Sequence, residues 1–268
     1  QQGHYNAGNG QKIAFPNSES LITNTRFYTT PKTVHHLPSL KEETIVKVEN
    51  LDCLLAAEKL LKEGYHPAVL NMASRQNPGG GVQTGAGAQE ENLFRRTNLF
   101  QSLFQFVPYA EKFGVRKSRF QYPLDRNYGG IYTPDATVFR GTEQMGYPLL
   151  DNPFQMSFIA VAGINRPALA SPERIAPELV EPVKNKMRTI FRIGLLHHHD
   201  SLVLGALGCG AFRNPPAHIA RLFHEVMEEE EFKNKYKLLV FAILDDYNAR
   251  LKHNPDGNFL PFMKEFTL

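Results

Sequence analysis

Apolar and polar positions alternate along Thr44–Val48 (TIVKV), with β-branched side chains at the apolar ones, as in a half-buried strand. Asp52 stands where a helix N-cap is favoured. The helix it predicts runs through Glu63, with Leu54, Leu55, Ala57 and Leu61 on one side and Gly64 past the end. Pro67–Met72 is the next strand, and this β-α-β order predicts parallel pairing through a right-handed crossover. Leu93, Phe94, Leu99, Leu103 and Phe104 fit one helix over Gln89–Phe106, and Ile131–Pro134 and Ala136–Arg140 read as strand pieces. Phe158–Val161 is a firmer strand. Glu173–Leu196 is the longest helical pattern, with Ile175, Leu179, Val183, Met187, Ile190 and Phe191 at helical spacing and Pro177 and Pro182 shaping its first turns. A buried strand at Ser201–Leu204, a helix over Pro216–Glu229 and a last core strand at Leu238–Leu244 follow. A terminal helix around Phe259–Phe266 is expected to cover the sheet edge, and no internal repeat is visible.

Residues 1–43 have no sustained period. Phe15, Leu21, Ile22, Phe27 and Tyr28 need somewhere to bury, so this part reads as an extension packed over the main domain; a partly disordered tail is the other reading. His197-His198-His199-Asp200 reads as a solvated turn, because three adjacent histidines do not share one face, and Glu228–Glu231 reads as a solvated helix end. The segment from Pro108 to Gly130 mixes basic and aromatic residues, which suits either a surface loop flanking a ligand site or nucleic-acid contact.

Composition narrows the classes. Of the 268 residues, 42% are hydrophobic and 21% charged, as in an ordinary globular protein. No apolar run is long enough for a membrane span. A net charge of +3 predicts no general nucleic-acid affinity, though it suits a phosphate-bearing ligand. Two cysteines, Cys53 and Cys209, make neither a disulfide framework nor a metal site, so a reducing compartment is expected. The first residues lack the basic and apolar regions of a leader. With no initiator Met, the chain is expected to begin inside the natural protein.

Candidate chemistry concentrates in the stretch from Asn71 to Glu91, NMASRQNPGGGVQTGAGAQEE. A buried strand ends here, Asn77-Pro78 stops regular structure, and Gly79-Gly80-Gly81 follows. Three glycines weaken any helix or strand. They do let backbone approach a bound group with its N–H donors exposed, as an anion loop requires. The stretch closes on Gln89-Glu90-Glu91 at a helix start, where an acidic pair is also favoured by the helix dipole alone.

The second such stretch begins at Gly205. GALGCGAF turns the Ser201–Leu204 strand into a glycine loop, and Asn214-Pro215-Pro216 opens a helix. Strand, glycine loop and helix N-terminus together can hold a pyrophosphate. No Gly-Lys-Ser/Thr follows, so it is not a Walker motif. Cys209 could be a nucleophile with a lowered pKa, or simply a small residue packed between two glycines.

The coupling of GGG to QEE after seven residues resembles the signature of bacterial-type poly(ADP-ribose) glycohydrolases. LGALGCGAFRNPP is similar to that family's diphosphate loop, and IYTPDATVFRG, LLVFAILDD, GHYNAGNGQKIAF and ESLITNTRFYTTP are similar to other parts of it, so the resemblance covers most of the chain. It departs at Leu207, where the family often has Trp, and at Ser74, where simple macrodomains usually have Asn near the distal ribose. The resemblance implies a three-layer α/β/α macrodomain with a mixed, mostly parallel sheet, residues 44–268 forming the catalytic core and 1–43 its N-terminal extension. It implies a hydrolase acting from the polymer terminus on poly(ADP-ribose), and so on ADP-ribosylated proteins, releasing ADP-ribose in the cytoplasm without cofactor or metal.

The roles the resemblance implies are specific. Glu91 would be the acid/base, Glu90 would orient the ribose, and Gln89 would help place them. Asn71, Ser74, Gly79, Gly80, Gly81 and Val82 would approach the distal ribose and diphosphate, with Gly208, Cys209, Gly210, Ala211 and Phe212 closing over the diphosphate. The chemistry agrees, since a glycosidic bond needs a proton on its leaving oxygen and support for an oxocarbenium-like carbon. Glu90 and Glu91 are neighbours, poorly placed to bracket one carbon, so Glu91 is expected in both proton steps. A reader that binds without cleaving, and a hydrolase of mono-ADP-ribosyl groups, are the alternatives; a pure reader has no need of QEE.

Overall fold

The computed structural model describes residues 3–15, 18–34 and 37–267; Gln1 and Gln2, the first of the residues read for a leader, lie outside them. A hairpin of β1 (His4–Asn6) and β2 (Lys12–Ala14) opens the chain, followed by α1 (Ser18–Asn24) and β3 (Arg26–Tyr28). Then come β4 (Ile45–Glu49), α2 (Cys53–Lys62), β5 (Pro67–Met72), α3 (Gln89–Arg96) and α4 (Leu99–Leu103). The rest is β6 (Gly130–Arg140), β7 (Leu149–Val161), the small hairpin β8 (Leu169–Ser171) and β9 (Arg174–Ile175), α5 (Pro177–Leu196), β10 (Ser201–Leu204), α6 (Pro216–Met227), β11 (Leu238–Ala242) and α7 (Phe259–Thr267).

Seven strands form one sheet in the order β3-β6-β7-β5-β10-β11-β4. The run from β7 to β4 is parallel, β6 is antiparallel to β7, and β3 is antiparallel to β6. β10 is buried from end to end and β5 up to its last residue, Met72, because a central parallel strand is covered on both faces. One face packs against α1 to α4 through Leu54, Leu60, Leu93, Leu103 and Phe158. The other packs against α5 to α7 through Met187, Phe191, Phe223, Phe241 and Phe262. The result is the three-layer, mixed and mostly parallel α/β/α arrangement. The extension's Phe15, Ile22, Phe27 and Tyr28 are half-buried and Leu21 is buried, and β3 itself belongs to the sheet.

Several local expectations need correction. β4 and β5 are parallel but not neighbours, since β11 and β10 lie between them. α2 starts at its cap as expected, with Asp52 Oδ1 accepting from Leu54 and Leu55 N–H at 3.0 and 3.1 Å, but Leu55 faces outward and Ala56 and Leu60 take the inner side. The single helix over Gln89–Phe106 is broken at Thr97-Asn98. Thr97 forms a bridge with Val138, and Asn98 Oδ1 accepts from Thr137 N–H at 2.7 Å, so the two residues turn to dock on β6. The long helix begins at Pro177, because Arg174-Ile175 is taken into the small hairpin. The two strand pieces at 131–140 are one strand with a bulge, where Asp135 adopts φ 49°.

The histidine run is not a solvated turn. His199 is buried and His197 half-buried, with only His198 exposed. The Tyr132 ring stacks on His197 at 3.5 Å and its hydroxyl meets His199 Nε2 at 2.9 Å, while His199 stacks on His66 at 4.3 Å. Burial pushes both His197 and His199 down to about 4. The acidic run at the end of α6 is likewise not a free solvated end: Glu229 and Glu231 clamp Arg188 and Arg192 of α5 with paired hydrogen bonds of 2.6–2.8 Å.

Candidate active site

Both glycine loops leave the C-terminal ends of adjacent parallel strands, β5 and β10, and so lie on one rim of the sheet, where crevices of open α/β sheets form. The two strands pair only from Pro67 to Val69, opposite Ser201 to Val203, and then part. The edge groups of β5 left open by that fork are met by a side chain. Gln89 Nε2 donates to Leu70 C=O at 2.7 Å and Gln89 Oε1 accepts from Met72 N–H at 2.9 Å, as a neighbouring strand would. This fastens the start of α3 to the end of β5. Its other end is held by Arg96, which is buried and pairs with Asp52 Oδ2 at 2.7 Å.

So fixed, α3 presents two buried carboxyls. Glu90 is 3% exposed; its Oε2 accepts from Ser74 N–H at 2.7 Å, and its Oε1 from Gly79 N–H at 3.1 Å and Asn71 Nδ2 at 3.4 Å. Burial raises its pKa to about 8 against those donors, with the charge of Glu91 adding to the rise. Glu91 is 7% exposed. Its Oε1 accepts from Gly81 N–H at 2.8 Å, while Oε2 is buried without a partner.

The first loop therefore does not present an open set of donors. Gly79 and Gly81 give their N–H groups to the glutamates, and Gly80 N–H donates to Asn77 C=O at 3.2 Å. The glycines are needed for shape: Gly79 and Gly80 have φ of +76° and +51°, a Cβ at Gly79 would stand 2.7 Å from the Phe94 ring, and one at Gly80 would collide with the Glu91 carboxyl. Ser74 Oγ accepts from Gln76 and Asn77 N–H at 3.3 Å each, building the turn, and Val82 N–H donates to Gly79 C=O at 3.0 Å.

The second loop is the open one. Asn214 Nδ2 braces it, donating to Ile164 C=O at 2.7 Å and Gly208 C=O at 3.0 Å, and Gly208 holds φ +75°. The N–H groups of Gly208, Gly210, Ala211 and Phe212 have no protein acceptor among the described residues. A cleft of about 210 Å³ separates this loop from α3, lined by Gly208, Gly210, Ala211 and Phe212 on one side and Gln89 and Asn92 on the other. Asn71, Ser74, Gly79, Gly80, Gly81, Val82, Glu90 and Glu91 are not among its lining residues. Cys209 is fully buried and does not line the cleft, and burial pushes its thiol far up, which speaks against the thiolate nucleophile.

Residues outside both glycine stretches complete the cleft: Leu51, Asp52 and Cys53 after β4, Gly163 after β7, and Asp246 and Asn248 after β11. Asn254 Nδ2 donates to Asn248 C=O at 2.9 Å, and His253 Nε2 meets Cys209 C=O at 2.8 Å, tying this last segment to the second loop. LLVFAILDD marks the strand end but gives no sign that the chain beyond it folds back over the loop.

Family and structure comparisons bear on the fold and the family. Residues 1–141 match the family model for the microbial-type PARG catalytic domain. The poly(ADP-ribose) glycohydrolase of Thermomonospora curvata is 26% identical, with 99% of this chain and 94% of that one covered and a TM-score of 0.77; it has also been solved bound to the inhibitor ADP-HPD, at a TM-score of 0.75. The poly(ADP-ribose) glycohydrolase of Deinococcus radiodurans in complex with ADP-ribose is 27% identical, with 95% and 99% covered and a TM-score of 0.71. No curated protein matches the chain. Fold and family together define a glycoside hydrolase built on a macrodomain. Within that class, the chain belongs to the microbial-type poly(ADP-ribose) glycohydrolase family.

Proposed function

We propose that this protein hydrolyses the ribose–ribose O-glycosidic bonds of ADP-ribose polymers, working from the terminus and releasing ADP-ribose. The observation that carries the reading is Glu91: one carboxyl oxygen is fixed by Gly81 N–H and the other is buried with no partner, as a group kept ready for a substrate atom would be. Its free oxygen gives a proton to the leaving ribose oxygen and then takes one from the attacking water, so a single group serves both steps. Glu90, its pKa raised by burial to about 8, holds its proton near neutral pH and orients the ribose. Across the cleft, the free N–H groups of Gly208, Gly210, Ala211 and Phe212 suit a diphosphate, whose own charge would help stabilise the cation.

Attack from the terminus is supported by the extension. Phe27 of β3 packs against Phe106, Phe120 and Tyr122, bringing residues from before the sheet's core to the same side as Glu90. The natural substrates in this reading are ADP-ribosylated proteins. Its two thiols are free, Cys209 buried and Cys53 half-buried, which suits a reducing, cytoplasmic setting. Incubation with end-labelled poly(ADP-ribose) in the presence of chelator should release ADP-ribose, with the polymer shortening gradually. Early long free oligomers would refute terminal attack, and binding without any cleavage would refute the hydrolase.

A further inference from the structure

Tyr122 stands outside every motif that points to the site. It lies in the loop before β6, where its N–H donates to Phe106 C=O at 2.9 Å. Two residues on, Leu124 and Arg75 exchange hydrogen bonds, Leu124 N–H to Arg75 C=O at 2.9 Å and the Arg75 guanidinium to Leu124 C=O at 3.2 Å. Arg75 adjoins Ser74, whose N–H holds Glu90. The loop is thus tethered to the same stretch of backbone that grips the carboxyl. From the other side the ring is packed edge-on against Phe27 of β3, with centroids 6.2 Å apart.

The hydroxyl of Tyr122 is buried and without a hydrogen-bond partner. Phenylalanine would fill the same apolar space without the penalty of burying a polar atom, so the oxygen calls for a use. Five buried side-chain polar atoms among the described residues lack a partner, and three of them belong to residues that interact with Glu90. Asn71 Oδ1 belongs to the amide that donates to Glu90, Glu91 Oε2 to the next residue, and the Tyr122 hydroxyl lies within range of the Glu90 charge. A site that awaits a hydroxyl-bearing ligand has this pattern of open donors and acceptors.

We propose that Tyr122 is a positioning residue that acts through Glu90: its hydroxyl and the Glu90 carboxyl share a bridging hydroxyl group, which fixes the carboxyl when substrate is bound. The bridging group is either a ribose hydroxyl of the substrate or a water it traps. The inference rests on the glycohydrolase reading of the site. It also gives the extension a physical route to the chemistry, from Phe27 through the Tyr122 ring to Glu90.

The test is Tyr122→Phe, which keeps the ring and removes only the oxygen. Its melting temperature should equal or exceed wild type, because a buried unpartnered hydroxyl is gone. Its kcat on poly(ADP-ribose) should fall about tenfold, the order of losing one hydrogen bond. The alkaline limb of its kcat profile should move to higher pH, because a donor favouring the charged form of Glu90 is lost; the other titratable group facing Glu90, Glu91, is unchanged. ADP-ribose affinity by calorimetry separates the two bridges: weakened binding means a ribose hydroxyl, unchanged binding with the shifted limb means water. Wild-type kcat with an unshifted limb would overturn the proposal while leaving the glycohydrolase reading intact. Should the wild-type protein bind ADP-ribose and cleave no polymer, the reading fails instead. Proton uptake on ADP-ribose binding then tests Tyr122, and identical uptake and affinity in both proteins would overturn it.

Discussion

The two glycine loops have similar composition, leave adjacent parallel strands and lie on one rim, yet their backbones face opposite ways. In the first, Gly79 and Gly81 turn their N–H groups inward to hold Glu90 and Glu91. In the second, Gly208, Gly210, Ala211 and Phe212 leave theirs without a protein acceptor at the wall of the cleft. Glycine richness on its own therefore says only that backbone comes close to something. What it comes close to depends on whether acidic side chains stand nearby: α3 brings two carboxyls under the first loop, and none is hydrogen-bonded to the second. In the proposed reaction, one loop serves the reacting bond by holding its acid, and the other serves binding.

Changes in the two loops should accordingly have different kinetic signatures. The largest effect is expected from Glu91→Gln, which retains size but can neither give nor take the proton; turnover of poly(ADP-ribose) should fall by about 10²–10⁴ or more. ADP-ribose affinity, measured by calorimetry, should stay within about threefold, an allowance below one hydrogen bond. Near-normal turnover would remove Glu91 from the mechanism. Gly80→Val comes next. Its Cβ would collide with the Glu91 carboxyl at a positive φ, so kcat should drop by roughly a hundredfold, with less than about tenfold change in ADP-ribose affinity. Gly208→Ala is its counterpart. There a Cβ would stand 2.6 Å from the Asn214 amide that braces the second loop, so affinity should weaken by about tenfold or more and kcat much less. If both glycine variants lost affinity alike, the division of labour would be wrong.

Two smaller effects sharpen the comparison. Burial raises Glu90 to about 8, so its proton is lost as pH rises through that value; kcat should decline on the alkaline side, and Glu90→Gln should abolish this limb. Cys209→Ser should change kcat by less than about threefold, since the thiol is buried behind the loop and joins neither the carboxyls nor the cleft lining.

Much of this was legible in the residues. Asp52 caps α2 because a cap is a local hydrogen bond, and the central strands read as apolar runs because both their faces are covered. Strand order was harder to see, since local pattern carries no information about which strands intervene between β4 and β5. Thr97 and Asn98 break a helix whose apolar spacing continues, because their polar groups answer to β6, distant in sequence. His197 and His199 look like surface residues until Tyr28, Tyr132 and His66 supply partners that permit burial. At the site, GGG and QEE were visible, but not that one holds the other. Tyr122 lay in the stretch read as a loop flanking a ligand site, but nothing singled it out there, because its mark is a buried oxygen without a partner among the described residues.

β3 has a consequence beyond its packing. It is three residues long and pairs with β6 through Arg26↔Tyr132, Phe27↔Ile131 and Tyr28↔Gly130. β6 is among the longest strands of the sheet, and without β3 its outer edge would offer a row of open backbone groups to any other extended chain. A short strand made by a separate early segment closes that edge over Gly130–Tyr132, and nothing at the opposite edge can replace it. The segment that packs on the Tyr122 loop thus also covers a sheet edge that another extended chain could pair with. Loss of the first thirty or so residues would be expected to show first as clumping, before any defect in rate could be measured.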